Sequence, residues 1–565
     1  MIVNIWRSRL INVLLVDLSA SAAERICEAQ LDQLKTGKGI FRTTFDQTPF
    51  CAYFGVRYAE PPVGNLRFRH SVLHEERTNQ NYSSPGSICP QFRKPFGKDV
   101  VIGSEDCLFA NIYSPRINAS ASKLYPVMVF VHGGSFMAGH GENDIHGVDL
   151  LIDSEVLVVT FNYRLKVLGF LKAEAYNMSG NYGLKDQTTL LRWVQRFIGH
   201  FGGDAQQVTL AGQSAGAASV TYHLYIEQSK NLFHRMIVLS GSMLAPWSFL
   251  YEYHHCSKLY LEDLNVSSVE QLHLMDFGAF FLRTGKLKYS FPFASIPMPC
   301  FIPVWERAEL HGDNFTVMEP HDAIIQPPIT PVPMLISETA TEFAGVLKHI
   351  AGFNLHPNVP HNWTNGKLNA LKLSMDEFAS SMTAQAEANS REEVFQRLAN
   401  LANLQYPVRR LAKELVRTLD EKIPVYYQRF AFDGRFGQAK YERYKAFLDH
   451  FEYGAMHGDD LGYIFSPYNL RHALTDPAAF HNEWKVHRGT AELIANFVKH
   501  GNPTPCQGRY FNNIWPALGK NSSYNMFLNN DETFELRTFT EDKYYTQWEK
   551  VYNCLYYDTC DAFFV

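Results

Sequence analysis

The apolar run Val208-Thr209-Leu210-Ala211 leads directly into Gly212-Gln213-Ser214-Ala215-Gly216 and then into Ala217-Ala218-Ser219-Val220. An apolar run that stops at glycine and resumes in small residues describes a strand, a sharp reversal and a helix. Only small residues fit beside so tight a turn. A serine at its corner is expected to project its hydroxyl from the sheet edge, the arrangement of a nucleophile elbow. G-x-S-x-G also arises by chance as a plain Gly/Ser turn, so its meaning depends on what accompanies it.

The neighbouring sequence supplies a sheet for the elbow to stand on. Tyr125-Pro126-Val127-Met128-Val129-Phe130-Val131 and Val156-Leu157-Val158-Val159-Thr160-Phe161 are continuous apolar runs rich in β-branched residues, as strands covered on both faces require. Val208–Leu210, Met236–Leu239 and Pro333-Met334-Leu335-Ile336 add three more candidates, and Phe50–Tyr58, stopped by Pro61-Pro62-Val63-Gly64, predicts part of an N-terminal antiparallel pair. Between the strands, Leu190, Leu191, Val194 and Ile198 recur at helical spacing, which predicts an amphipathic crossover helix over Asp186–Phe201. Strands alternating with such helices imply an α/β fold with a mostly parallel sheet and helices on both faces. After Ser242 the alternation becomes irregular, and long helical stretches at Ser390–Leu419 and Thr490–His500 suggest insertions roofing a pocket.

No linker, charge block, low-complexity tract or repeat divides the 565 residues, and an apolar fraction of 46% suffices for a large core. Residues 23–565 therefore read as a single domain. A formal charge of -5 gives no reason to expect nucleic acid or an anionic membrane as partner. At the N-terminus, Arg7 and Arg9 precede an apolar run from Leu10 to Leu18, broken by Asn12 and Asp17, and Ala20-Ser21-Ala22 resembles a cleavage site. Residues 1–22 are expected to be a signal peptide. Asn-x-Ser/Thr sequons at Asn81, Asn118, Asn177, Asn265, Asn314, Asn362 and Asn521 also favour secretion to the extracellular space. No later segment is apolar for long enough to span a bilayer. Nine cysteines leave at least one outside any intrachain pairing, and Cys554 and Cys560 are near enough in sequence to close a small loop, although spacing does not establish a pair.

Seven blocks, in order, carry a resemblance to a known family. They are Gly55-Val56-Arg57-Tyr58-Ala59-Glu60-Pro61-Pro62-Val63-Gly64-Asn65-Leu66-Arg67-Phe68, Ser104-Glu105-Asp106-Cys107-Leu108, His132-Gly133-Gly134-Ser135-Phe136, Asn162-Tyr163-Arg164, Gly180-Asn181-Tyr182-Gly183-Leu184-Lys185-Asp186-Gln187, Phe201-Gly202-Gly203-Asp204 and the elbow itself. From about residue 50 to its last helices the chain resembles the type-B carboxylesterase/cholinesterase family of the α/β-hydrolase fold. The resemblance implies a serine carboxylic ester hydrolase with a central, mostly parallel sheet and helical insertions roofing a gorge.

Acyl transfer from an ester needs a nucleophile, a base, an acid that orients the base and donors for the oxyanion. In this fold the chain order is nucleophile, acid, histidine. The resemblance implies Ser214 as nucleophile, Glu342 as acid and His457 as base, the last in Gly454-Ala455-Met456-His457-Gly458-Asp459-Asp460-Leu461. Glu338 is the local alternative to Glu342, and Phe343 and Ser337 stand where relatives carry glycine. His132 is the alternative histidine, placed rather to bond backbone beside the glycine loop. Backbone N–H groups of Gly134, Ser135 and Ala215 are the implied oxyanion donors, with Ser135 replacing a glycine of many relatives. No metal or organic cofactor is called for, so chelators should have no effect and organophosphates should capture Ser214. The family's first disulfide loop corresponds to Cys89 and Cys107. Cys256 matches the start of a second loop that lacks its usual nearby partner, a role Cys300 could fill.

Substrate charge is also addressed by the resemblance. Cholinesterases bind a quaternary ammonium on a tryptophan in the first disulfide loop and with an acidic residue beside the nucleophile. The Cys89–Cys107 loop here has Arg93, Lys94 and Lys98 and no tryptophan, and the residue before Ser214 is the neutral Gln213. Neutral apolar small-molecule esters are expected. The elbow, with Gly454, His457 and Asp459, is similar to the pattern of insect juvenile hormone esterases and related secreted insect esterases, so juvenile hormone, pheromone and xenobiotic esters are the candidates. The alternative is a non-catalytic secreted adhesion or scaffold member of the same fold, like the neuroligins and glutactins, which lack one or more of the residues that Ser214, Glu342 and His457 supply.

Overall fold

The computed structural model describes residues 27–560 apart from 33–34, 76–78, 94–99, 119–121, 143–145, 285–287, 291–296, 308–314, 344–363, 438–453, 467–475, 521–523, 529–533 and 539–540. The expected signal peptide and the sequons at Asn314, Asn362 and Asn521 lie outside the described residues. Asn81, Asn118, Asn177 and Asn265 are exposed.

One thirteen-stranded sheet organises the described residues. In chain order its main strands are β1 (Cys27–Asp32), β2 (Lys35–Thr43), β3 (Pro49–Arg57), β4 (Phe109–Ser114), β5 (Tyr125–Val131) and β6 (Leu157–Phe161). They continue as β7 (Gly203–Gln213), β8 (Arg235–Leu239), β9 (Met334–Thr339), β10 (Val425–Phe430), β11 (Tyr524–Leu528) and β12 (Phe534–Thr538). Across the sheet they lie in the order β1-β2-β3-β4-β6-β5-β7-β8-β9-β10-β11-β12, with Gln80–Asn81 paired to β2 off this path. From β6 to β11 every neighbouring pair is parallel, and the flanking pairs are antiparallel. The expected α/β class and the antiparallel pair involving Phe50–Tyr58 are both present.

The apolar runs become central strands because their alternate residues serve two cores. Val127, Val129, Val131, Leu157, Val159, Met236 and Val238 belong to one buried cluster; Met128, Phe130, Val158, Ile237 and Leu239 belong to the other, on the opposite face. Helix α1 (Tyr182–Phe197) covers the first face with Leu190, Leu191, Trp193 and Val194, and α6 (His481–His500) covers the second with Val486, Leu493, Ile494 and Phe497. Each such side chain contributes roughly 1.5–3 kcal/mol by leaving water. Between them in sequence lie α2 (Ala215–His223), α3 (Asn365–Ala384), α4 (Arg391–Asn400) and α5 (Tyr406–Thr418). With α7 (Lys543–Tyr557), α3 and α4 form a third cluster around Leu371, Phe395 and Trp548.

Local boundaries differ from the sequence reading in instructive ways. The crossover helix starts at Tyr182 rather than Asp186, because Lys185 and Asp186 are buried through ion pairs with Glu306 and Arg164 and so hide the first turn's place in the core. β7 begins at Gly203, with its pairing to β5 shifted between Asp204 and Val208. The helical stretch 390–419 divides into α4 and α5 around a wider turn at Leu401–Gln405.

Four disulfides are formed, Cys27–Cys51, Cys89–Cys107, Cys256–Cys300 and Cys554–Cys560, and Cys506 is an exposed free thiol. No helix among the described residues is long and apolar enough to cross a membrane.

Candidate active site

The parallel strands deliver their carboxyl ends to one edge, because Gly212 pairs with Val131, Gln213 with Leu239, and Leu239 with Ser337. Open α/β sheets bind ligands at such an edge. Ser214 follows β7 there with φ 58° and ψ -123°, a backbone few side-chain-bearing residues adopt, and its N–H donates to Leu239 O at 2.9 Å. A conformation of this kind costs about 1–3 kcal/mol and persists only where surrounding packing enforces it. Here the packing is extreme. A Cβ on Gly216 would overlap Val131 O, and one on Gly212 would overlap the carbonyl of Gly216. Ala215, Ala217 and Ala218 are fully buried, so small residues are required throughout the elbow.

Glu342 reaches the same edge from the turn after β9. Its backbone is left-handed, at φ 44°, and its side chain is wholly buried. Oε1 accepts from Thr339 N at 2.8 Å, and Oε2 lies 2.7 Å from His457 Nδ1. The two segments are zipped together by backbone. His457 N donates to Glu342 O at 3.1 Å and Thr341 N to Ala455 O at 3.0 Å, and Gly454, at φ 114°, presses on Thr341 where a Cβ would meet Cγ2 at 2.5 Å. Glu338 is engaged elsewhere, buried and paired with Arg409 at 2.6 Å. His132 points away from the elbow chemistry: its Nδ1 donates to Gly133 O at 2.9 Å and its ring stacks on Tyr163 at 4.5 Å.

The glycine loop packs against the elbow. Gly134, Ser135 and Phe136 all have positive φ, 111°, 56° and 58°. Ser135 is thus left-handed despite its Cβ. Ala215 is the first residue of α2, so its N–H belongs to the set that has no acceptor within the helix. Gly133 touches the elbow: a Cβ there would stand 2.7 Å from Gln213 O and 2.9 Å from Ser214 Cβ.

Three contacts of the histidine and acid segments were not legible in the spacing. The Gln213 side-chain amide lies 3.2 Å from His457 Nε2, the Phe343 ring packs 4.4 Å from the imidazole, and Phe343 N donates to Asn400 Oδ1 at 2.9 Å. Their partners come together only through the sheet edge and α4. Beside them, burial reinforced by the charges of Glu342 and Asp459 pushes the Asp460 carboxyl up to about 8. Other charged residues of the sequence blocks are structural. Arg164 and Asp186 form a buried bidentate pair at 2.7 and 2.8 Å, and Arg67 pairs with Glu105 at 2.6 Å. Among the described residues no cluster of His, Cys, Asp and Glu is arranged to hold a metal ion.

Known proteins share this architecture. A family model described as the Carboxylesterase family matches residues 33–548. Juvenile hormone esterase of Heliothis virescens is 30% identical over 502 residues, covering 85% of this chain and 86% of that protein. Esterase FE4 of Myzus persicae is 29% identical over 539 residues, covering 88% and 89%. Among solved structures, juvenile hormone esterase from Manduca sexta with OTFP covalently attached has a TM-score of 0.76 at 25% identity, covering 94% of this chain and all of that one.

Proposed function

This chain belongs to the carboxylesterase family, and we propose that it hydrolyses esters with Ser214 as nucleophile, His457 as general base and Glu342 as the carboxylate that orients and stabilises the imidazolium. The observation that carries the assignment is the buried 2.7 Å contact between His457 Nδ1 and Glu342 Oε2, at the same sheet edge as the strained Ser214. In the proposed cycle Ser214 Oγ attacks the ester carbonyl carbon while His457 Nε2 takes its proton. The tetrahedral oxyanion is met by the N–H groups of Gly134, Ser135 and Ala215, donors that are typically worth about 10²–10³ in rate each. The proton on His457 then passes to the departing alkoxide, which leaves as the alcohol. Water, deprotonated by the same nitrogen, cleaves the acyl-serine and releases the acid. No cofactor enters the cycle.

Ser214→Ala is expected to lower kcat for nitrophenyl acetate by at least about 10⁴-fold, with the fold intact by circular dichroism. Activity surviving that substitution would sink the mechanism, and a wild-type chain inert to all esters would favour a scaffold. The esterase relatives do not favour that alternative.

The substrates we propose are neutral, apolar carboxylic esters, with juvenile hormone, pheromone and xenobiotic esters as candidates. Support comes from the neutral amide of Gln213 at the nucleophile and from the absence of tryptophan between Cys89 and Cys107. The neutral ester of a matched pair should be hydrolysed with a higher kcat/KM than its trimethylammonium counterpart, and a reversed ranking would contradict the assignment. We also propose that residues 1–22 are removed and that 23–565 act as one secreted domain. Four disulfides and the exposed sequons support an oxidising, extracellular setting.

A further inference from the structure

His457 has two ring nitrogens, and the sequence of neighbours around them determines which carries the proton at rest. A buried carboxylate only accepts, so the nitrogen 2.7 Å from Glu342 Oε2 is the N–H. In the neutral ring Nε2 is then an acceptor. Facing it at 3.2 Å is the amide nitrogen of Gln213, a group that only donates. Its carbonyl Oε1 lies on the Gly133 side, 2.8 Å from where a Cβ on that glycine would stand. Gln213 is buried and sits immediately before the nucleophile. No hydrogen bond joins Ser214 Oγ to His457 among the described residues.

We infer that Gln213 is a positioning residue for the base: in the resting site its amide N–H occupies the His457 Nε2 lone pair, keeping the imidazole neutral and in the Nδ1–H tautomer, and it yields that lone pair to the Ser214 hydroxyl when the nucleophile is deprotonated. The inference rests on the proposed roles of Ser214 and His457. A neutral imidazole accepts this bond, whereas an imidazolium would set two donors against each other. The amide thereby acts against Glu342, the carboxylate on the other ring nitrogen; of the two acidic residues in the histidine's own turn, Asp459 accepts from Met456 N and Asp460 is held protonated up to about 8. On the remaining sides stand the uncharged Ser214 and Phe343, and His132 on the glycine loop is occupied with Gly133 O. A carboxylate in place of the amide could accept but not donate, and so would favour the imidazolium and the inactive form of the base.

The test is the pH dependence of kcat/KM for nitrophenyl acetate, an uncharged ester, in wild type, Gln213→Glu and Gln213→Met. Activity requires the unprotonated base, so the acid limb should move to higher pH, by about one unit or more for Gln213→Glu, as expected for an added opposite charge within about 4–6 Å. Gln213→Met removes the donor without adding charge, and its limb should move in the same direction by less. A purely structural role would lower the plateau and leave the limb in place. A Gln213→Met limb that overlays the wild type overturns the inference, because the shift in Gln213→Glu can come from its charge alone. Should Gln213→Met fail to fold, Gln213→Ala, which likewise removes the donor without adding charge, decides in its place. Ser214→Ala separates the two levels of argument: if it is inactive while the limbs stay fixed, only the role of Gln213 falls, and if it is active, the underlying mechanism falls as well.

Discussion

His457 is fixed by contacts that differ in kind: a charge-assisted bond to Glu342, an amide on its second nitrogen and the Phe343 ring. Phe343 and Ser337, which depart from the glycines of relatives, are accommodated for identifiable reasons. Phe343 fills the space between the imidazole and the helical cluster of α3, α4 and α7, and Ser337 is an ordinary buried strand residue paired with Leu239 and Gln428. Asp460 has a consequence for stability. An unfolded aspartate titrates near about 3.9, whereas burial and its acidic neighbours hold this one up to about 8. Between those values the folded chain keeps a proton that the unfolded chain has released, so its contribution is complete below about pH 4 and is lost as pH rises through about 8. Asp460→Asn is therefore expected to gain melting temperature over wild type on going from pH 5 to pH 8. Parallel melting curves at the two pH values would refute this.

The elements that carry the site are locked to one another by groups the sequence displays but does not pair. Arg164, after β6, clasps Asp186 on α1 through two side-chain bonds, and the Arg164 N–H donates to the same carboxylate at 3.0 Å. Both side chains are almost wholly buried. Asp186→Ala leaves a buried guanidinium without its counter-charge and should cost about 3–5 kcal/mol, measurable by urea unfolding. A loss below about 1 kcal/mol would mean that solvent reaches Arg164. The elbow, by contrast, was readable as an element from its residues alone, because Gly216 answers to the backbone of β5 at Val131 and Gly212 to the backbone of its own turn. The strands without a clear sequence signal, β1, β2, β4, β10, β11 and β12, flank the apolar central strands and carry polar residues such as Asn111, Gln428 and Arg537 within them.

At the scale of the molecule, disulfides secure loops of very different length. Cys256–Cys300 spans 44 residues and Cys554–Cys560 spans 6. If loop-closure entropy dominates, removing the longer bridge should destabilise by about 2 kcal/mol more than removing the shorter one. Thermal melts of the two double-serine variants compare them directly, and equal losses would point to enthalpic terms instead. Of the helical stretches expected to roof a pocket, Thr490–His500 is instead the later part of α6, packed on the second face of the sheet. What the sequence determined by itself were the local commitments: which runs are buried strands, where the elbow turns, and, through the resemblance, which serine, glutamate and histidine to watch. These are legible because periodicity, turn sterics and motif order are properties of neighbouring residues. Only the tertiary structure decided that Glu342 rather than Glu338 meets His457, that Cys256 joins Cys300, and that Gln213 faces the base. Each depends on how strands distant in sequence are ordered across the sheet, where a shift of one residue would turn a side chain to the opposite face.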